Sequence, residues 1–512
     1  MAGIGFELKK LAGRRGMLAP VASLGHATVV AAGPWLLTVI ALSLIQSRVT
    51  METEWRSSSV QALIIYCFCL SLVATAPITA VAVRIASDQL YLKHFHKLVP
   101  IFLVATLASV ASGLGLALLV FASLLNLPFK DLSLAAVSCG IVSAMWPAMA
   151  FCGMVRRYGA ISRAFIFGLA TSVALTFAAE QFEMSATVEA MAFAAGLGLT
   201  TIFLQATFLG TFASAPGGDH KTPLAATQDT SSYGWVALGA LFSALALWAD
   251  TWVMWLGPLQ VISSEGLATA PFYDSVMFLA RISMVPALAF FIIWVETAVF
   301  DRVLAYIAAI RGTGTLERIL KEATGLRATI RQMLTSVLLV QLVASCALAL
   351  LAHTAIDASG LLFQQTGLLR NGAIGALFHV IFLAATTILL FLDRVRAFAL
   401  LQGLFLALNA SLTLAVSHFL PDAPGLGYVI AAALGAIVAV LVLEETSEDI
   451  VALTFAAAHR RVSAAGRSSP SPLSAALGPG LARVLGRIRT GKQPLSQGSA
   501  STPQNPRKGG SS

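Results

Sequence analysis

GWVALGALFSALALWADTWVMWL, residues 234–256, holds a single charged group, Asp250, in a run long enough to cross a bilayer. The hydrocarbon core takes about 20 helical residues at roughly 1.5 Å each. Backbone groups there find no water, so a helix is the economical way to pair them within one segment. Runs of this kind recur along nearly the whole chain. The sequence is accordingly 57% hydrophobic and only 11% charged, against roughly 25% charged for a soluble globular protein. The composition excludes a soluble enzyme or binding module and specifies a polytopic α-helical membrane protein.

Including that stretch, twelve spans are expected: 20–46, 60–83, 99–125, 132–153, 161–179, 187–213, 234–256, 276–299, 332–353, 371–391, 397–417 and 427–443. The segments between them alternate in charge. Of the 33 basic residues, only Arg48, Arg56, Lys130 and Arg370 fall on one side, and Arg281 lies within a span. All the others fall on the opposite side, so the positive-inside rule places both termini in the cytoplasm. The same distribution, without interleaved aromatics, argues for topology signals and against nucleic-acid binding. The first run follows LKKLAGRRG but exceeds the roughly 7–15 residues of a signal-peptide core, so it reads as an uncleaved helix.

The expected organisation is a first six-helix lobe (1–213), a polar cytoplasmic linker (214–233) and a second lobe (234–458), with a basic tail (459–512) rich in Ser, Pro, Gly and Arg that has the composition of disorder. Within the second lobe, 300–331 is a cytoplasmic segment. In its 313–331 part, Leu316, Ile319, Leu320, Ala323, Leu326 and Ile330 share a helical face. It reads either as an amphipathic helix on the inner leaflet or as an extension of the ninth span. Loops on the outer side are short, the longest being Pro258 to Asp274, which leaves little to hold an external sugar substrate for a membrane polymerase.

Motifs of catalysis are missing: there is no GxxxxGK[ST], no HExxH and no metal-spaced Cys/His set. No cofactor is implied. The five cysteines all lie in apolar runs and read as small buried hydrophobes. Glycines such as those of GLGLAL (113–118) read as close helix packing. Prolines inside spans are hinge candidates, namely Pro34, Pro77 and Pro286. Pro77 and Pro286 occupy equivalent positions in spans two and eight, the kind of paired interruption that points to a transporter's central cavity.

Polar groups within spans are the remaining candidates for function. Asp250, Arg281, His379, Asn409 and Trp248 are candidates for the substrate pathway, and Gln341 lies in span nine. An ionisable group at this depth costs roughly 2.5–3.5 kcal/mol on insertion scales and is usually functional or paired. Asp250 and Arg281 each lie about seven residues from the outer ends of consecutive antiparallel spans, so they share a depth and are expected to pair, with the planar guanidinium taking the carboxylate bidentately. A purely structural lock of this kind would tolerate exchange of the two charges. His379 and Asn409 also share a depth and are placed to hydrogen-bond each other. Trp248, Trp252 and Trp255 form a stripe that reads as an interfacial belt or as a sugar-stacking platform.

MAGIGFELKKL, AAGPWLLTV, LALWADTWVMW, YDSVMFLARISMVPALAFFIIWVETAVFD and RNGAIGALFHVIFLAATTILLFLDRVRAFALLQGLFLALNA resemble the PelG family of exopolysaccharide export, from Met1 to about Thr454. The resemblance implies the multidrug/oligosaccharidyl-lipid/polysaccharide flippase superfamily, with two six-helix lobes around a central cavity in the bacterial inner membrane. It also implies a cargo of N-acetylated hexosamine polymer and partners: a cytosolic PelF-like glycosyltransferase and PelD-like and PelE-like membrane proteins. The family's WxD motif is followed by a basic residue, but Thr251 stands there in this chain, so another cation must balance Asp250. Arg318, Lys321 and Arg327, in the most charged cytoplasmic segment, are with the 84–98 loop the candidates for docking the synthase; the equal alternative is that these cations only hold anionic lipid heads. A lipid-linked oligosaccharide flippase, a cation-coupled drug antiporter and a membrane enzyme with His379 as base are the competing readings.

Overall fold

Among the residues described by the computed structural model (54–123, 128–155, 157–212, 230–263, 266–312 and 314–456), the chain is helical almost throughout. In the first half α1 (Glu54–Tyr91), α2 (Leu98–Ser123), α3 (Phe129–Met154), α4 (Tyr158–Gln181) and α5 (Ala186–Phe212) follow one another. The second half begins with α6 (Thr230–Trp255), followed by α7 (Pro271–Ile282), α8 (Val285–Trp294) and α9 (Phe300–Arg311). It ends with α10 (Leu316–Leu350), the short α11 (Ala352–Ala358), α12 (Thr366–Phe391), α13 (Val395–Phe419) and α14 (Leu426–Glu448). Eleven segments among the described residues are long and apolar enough to cross a membrane. They coincide with the second to twelfth expected spans. The first expected span, with Pro34, lies outside the described residues, as do most of the linker and the tail from 457 on.

The helices of the first half pack mainly on one another, α3 against α2 and α5, and α4 against α5. In the second half α13 lies along α6, and α12 lies between α14 and α10. Contact between α1 and α6 joins the two sets, and the described residues up to Asp449 form one compact unit. Close approach needs small residues. A Cβ on Gly113 would come within 1.9 Å of the Ser143 hydroxyl, so this glycine of GLGLAL lets α2 lie on α3.

Three expectations are corrected. The eighth span runs over Pro271–Arg311 and is not one regular helix. It breaks at Ser283–Met284 and carries a π-helical turn at Val295–Val299. Pro286 lacks an N–H and crowds the carbonyl of Ile282, which explains the break. Pro77, by contrast, sits inside an unbroken α1. Of the two readings of the basic stretch 313–331, the extension of the ninth span is the one found, because residues from Leu316 on form the first half of α10. Thr315 caps it by accepting from the Arg318 amide at 3.3 Å, and its buried stripe of Ile319, Ala323, Leu326 and Ile330 continues into Met333, Val337 and Gln341. Cys346 is exposed, beside Val343 and Leu350 on the outer face of α10; the other four cysteines are buried. The loop after α6 contains a small antiparallel hairpin, β1 (Val261–Ile262) with β2 (Ala268–Thr269), pairing Val261 with Thr269.

Candidate functional site

Asp250 is fully buried in α6. Arg281, near the end of α7, reaches it with one nitrogen, Nη2, that lies 2.8 Å from Oδ1 and 2.6 Å from Oδ2. The expected two-nitrogen fork is therefore replaced by a single nitrogen straddling the carboxylate, and Arg281 Nε has no partner among the described residues. Two further donors complete the cradle. The Tyr273 hydroxyl donates to Oδ2 at 2.9 Å, and Asn409 Nδ2 donates to Oδ1 at 3.2 Å and to the Ala246 carbonyl at 3.1 Å. With the guanidinium and two neutral donors, the carboxylate has the compensation that burial demands.

The guanidinium is held from its other side as well. Its carbon lies 5.6 Å from the centroid of the Tyr428 ring, within cation–π range. The Tyr428 hydroxyl is 2.8 Å from His379 Nδ1, and the His379 ring packs on Phe405 at 4.9 Å. Five helices thus converge on one polar cluster: α6 (Asp250), α7 (Tyr273, Arg281), α12 (His379), α13 (Asn409) and α14 (Tyr428). The expected His379–Asn409 hydrogen bond is not formed. Although α12 and α13 are consecutive, α12 packs mainly on α14 and α13 mainly on α6, so each polar group meets a partner from a helix distant in sequence.

The tryptophan stripe faces α1 at its C-terminal end, at Trp255, and is not a lipid-facing belt there. Trp255 is buried and stacks on Tyr66 with centroids 4.7 Å apart. Its Nε1 donates to Asp274 Oδ2 at 2.8 Å, and the Tyr66 hydroxyl donates to the Ala268 carbonyl of β2 at 2.9 Å. Trp252 lies beside Cys69. The Trp248 Nε1 is buried with no hydrogen-bond partner among the described residues. Trp255→Phe keeps the stack and loses the bond to Asp274. It is expected to destabilise by about 1–3 kcal/mol, the cost of leaving a buried acceptor without its donor, and to lower the apparent Tm of the detergent-solubilised chain. An unchanged melting curve would show that Asp274 is held without Trp255.

Gln341, also picked out in the sequence, serves the broken helix. Its Nε2 donates to Ser345 Oγ at 3.1 Å and to Ser283 Oγ at 3.4 Å, which braces the interruption before Pro286. Sequence reading missed Tyr273, Tyr428 and Glu296. Tyrosines in FYD and GYV carry no charge signal. Glu296 is an acid inside an apolar run, the signal that picked out Asp250, and it is buried in the π-helical turn.

A family model described as "Putative exopolysaccharide Exporter (EPS-E)", PelG, matches residues 1–455. The chain belongs to the PelG family. None of the curated proteins compared matches it in sequence. Among solved structures, a mutant MATE transporter of Vibrio cholerae superposes with a TM-score of 0.61 at 11% identity, over 87% of this chain and 97% of that one. A multidrug resistance MATE family transporter of the MOP superfamily, in an outward-facing conformation, gives 0.57 at 12%, over 91% and 98%. A MOP superfamily transporter from Pyrococcus furiosus gives 0.56 at 13%, over 83% and 96%. At such identities the likeness is one of fold, and this PelG family member has the fold of MATE transporters.

Proposed function

We propose that the chain carries a growing exopolysaccharide, built of N-acetylated hexosamines, from the cytoplasm across the bacterial inner membrane while it is being synthesised, with no catalysis of its own. The family match, which runs through every described span, carries this reading. In it the twelfth crossing is the run 20–46, both termini are cytoplasmic, and two six-helix lobes enclose the path. The buried cluster supports it in a specific way. Asp250 is engaged by Arg281, Tyr273 and Asn409, so it holds helices and has no open side for a coupling cation, which disfavours a cation-coupled antiporter. Trp248 Nε1 and Asn409 Oδ1 are buried without partners among the described residues, and both suit sugar hydroxyls exposed by a small rearrangement.

The same reading has a cytosolic PelF-like glycosyltransferase dock on the cytoplasmic end, with PelD-like and PelE-like membrane proteins beside it. Of the docking candidates, Arg318 and Lys321 are exposed, whereas Arg327 pairs with Glu444 and Glu448 on α14, so the docking surface centres on the first two. In a deletion strain with the synthase intact, external polymer is expected to fall to background and to return with the full chain. Export at the wild-type level without the chain would sink the proposal. A lipid-linked oligosaccharide accumulating in the deletion strain would favour the flippase reading. The charge-reversed Arg318→Glu/Lys321→Glu chain should reach the membrane normally but recover several-fold less glycosyltransferase on purification.

A further inference from the structure

The stretch of α10 from Arg327 to Leu338 faces the end of α14 across a groove that the function proposed above does not use. A cavity of about 330 Å³ lies there, lined by Arg327, Arg331, Leu338, Ile381, Val440 and Glu444 among others. Its chemistry is graded along its length. On α10 the basic pair Arg327 and Arg331 is followed, one and two turns on, by Leu334 and Leu338. On α14 the order is reversed, Val440 and Leu443 preceding Glu444 and Glu448. The two helices run in opposite directions along the groove, so both put their charges at its mouth and their apolar side chains below, over Ile381 of α12.

The charges at the mouth are two cations and two anions. Arg327 contacts both Glu444 and Glu448, and Arg331 contacts Glu444. These contacts leave capacity unused. Arg331 is 62% exposed and Glu448 is 53% exposed, and Arg327 Nε is buried with no partner among the described residues. A buried N–H on a guanidinium calls for an acceptor, and phosphate oxygen is an acceptor that guanidinium groups match as well as carboxylate. The neighbouring carboxylates call for a cationic donor, and the walls below call for hydrocarbon.

We propose that this groove binds one phospholipid with a primary-ammonium zwitterionic head, phosphatidylethanolamine. Its phosphate lies on Arg327 Nε and Arg331, its ammonium donates to Glu444 and Glu448, and an acyl chain lies along Leu334, Leu338, Val440 and Ile381. A purely anionic head would satisfy the arginines and be repelled by the glutamates. A choline head would bring the right charges but no N–H to donate. The inference requires only that the chain spans a membrane, and it is independent of what the chain carries.

The test is native mass spectrometry of the purified full chain, extracted in mild detergent and offered equal amounts of phosphatidylethanolamine, phosphatidylcholine and phosphatidylglycerol. One phosphatidylethanolamine is expected to be retained on the order of five-fold over either competitor, a ratio that one net hydrogen bond supplies. Glu444→Gln with Glu448→Gln should invert the preference toward phosphatidylglycerol, since two arginines then stand without their anions. Val440→Trp, which fills the groove, should remove the retained lipid. Equal retention of all three lipids by the wild-type chain, a preference for phosphatidylglycerol, or no retained lipid would each overturn the proposal. None of these three outcomes depends on a variant folding.

Discussion

Arg281→Gln is expected to remove most of the chain from the membrane, and exchanging the two charges, Asp250→Arg with Arg281→Asp, is not expected to bring it back. The single change leaves the fully buried Asp250 with only the neutral donors Tyr273 and Asn409. Removing one partner of a buried ion pair typically costs about 3–5 kcal/mol, a large share of the roughly 5–15 kcal/mol that holds a protein folded. Asp250→Asn should do the same by stranding Arg281. A structural lock made of two charges alone would survive their exchange, as the sequence suggested. The surroundings oppose it. At position 250 the much longer arginine side chain would have to fit a fully buried site, and Tyr273 and Asn409, which now donate to the carboxylate, would both have to turn and accept. At position 281 a carboxylate would lie against the electron-rich face of Tyr428, where a cation is favoured. Membrane abundance, followed by fluorescence-detected size exclusion, and external polymer are the readouts. An exchanged chain at wild-type abundance would show that charge balance alone matters. Normal abundance and export in both single variants would make the pair irrelevant.

Gly375→Ala is the second change expected to have a large effect. A Cβ at this position would come within 2.4 Å of Tyr428 Cδ1 and Cε1, too close for any side chain. The ring must move, and with it go the His379 hydrogen bond and the cation–π contact to Arg281. Overpacking of this kind typically costs about 1–3 kcal/mol, and the lost contacts add to it. The expected result is a strong fall in abundance of folded chain. Combining Gly375→Ala with Tyr428→Leu should then be milder than the sum of the two single changes, because the smaller side chain vacates the space. Strict additivity would show that the glycine matters for something other than the tyrosine ring.

These two predictions rest on different sources, and the difference shows how much was legible before the tertiary structure. Span number and position across the described residues followed from apolar run length, because hydrocarbon admits hardly any backbone other than a paired helix. The same argument gave the depth of Asp250 and Arg281, and depth with sequence adjacency gave their pairing. The likeness of whole segments to the PelG family was legible too, since it lies in residue identity and not in geometry. Lateral neighbours in a bundle were not legible. Hydrophobic periodicity says which stripe of a helix is buried but not which helix covers it, so His379 was assigned to Asn409 when α14 supplies its partner, Tyr428. Trp255 was read as part of an interfacial belt or of a sugar-stacking platform, when α1 supplies its stacking partner, Tyr66. Nor could spacing show whether 313–331 bends away from the ninth span, a choice made by the buried stripe that runs unbroken from Ile319 to Gln341 on α10. A multi-spanning helical membrane protein with a buried ion pair could be read from residues alone, because burying charge in hydrocarbon is costly enough to show in one dimension. Which five helices meet at that pair, and why exchanging its charges is unfavourable, emerged from the packing, because those answers depend on tyrosine, asparagine and glycine groups that signal nothing until helices far apart in sequence lie side by side.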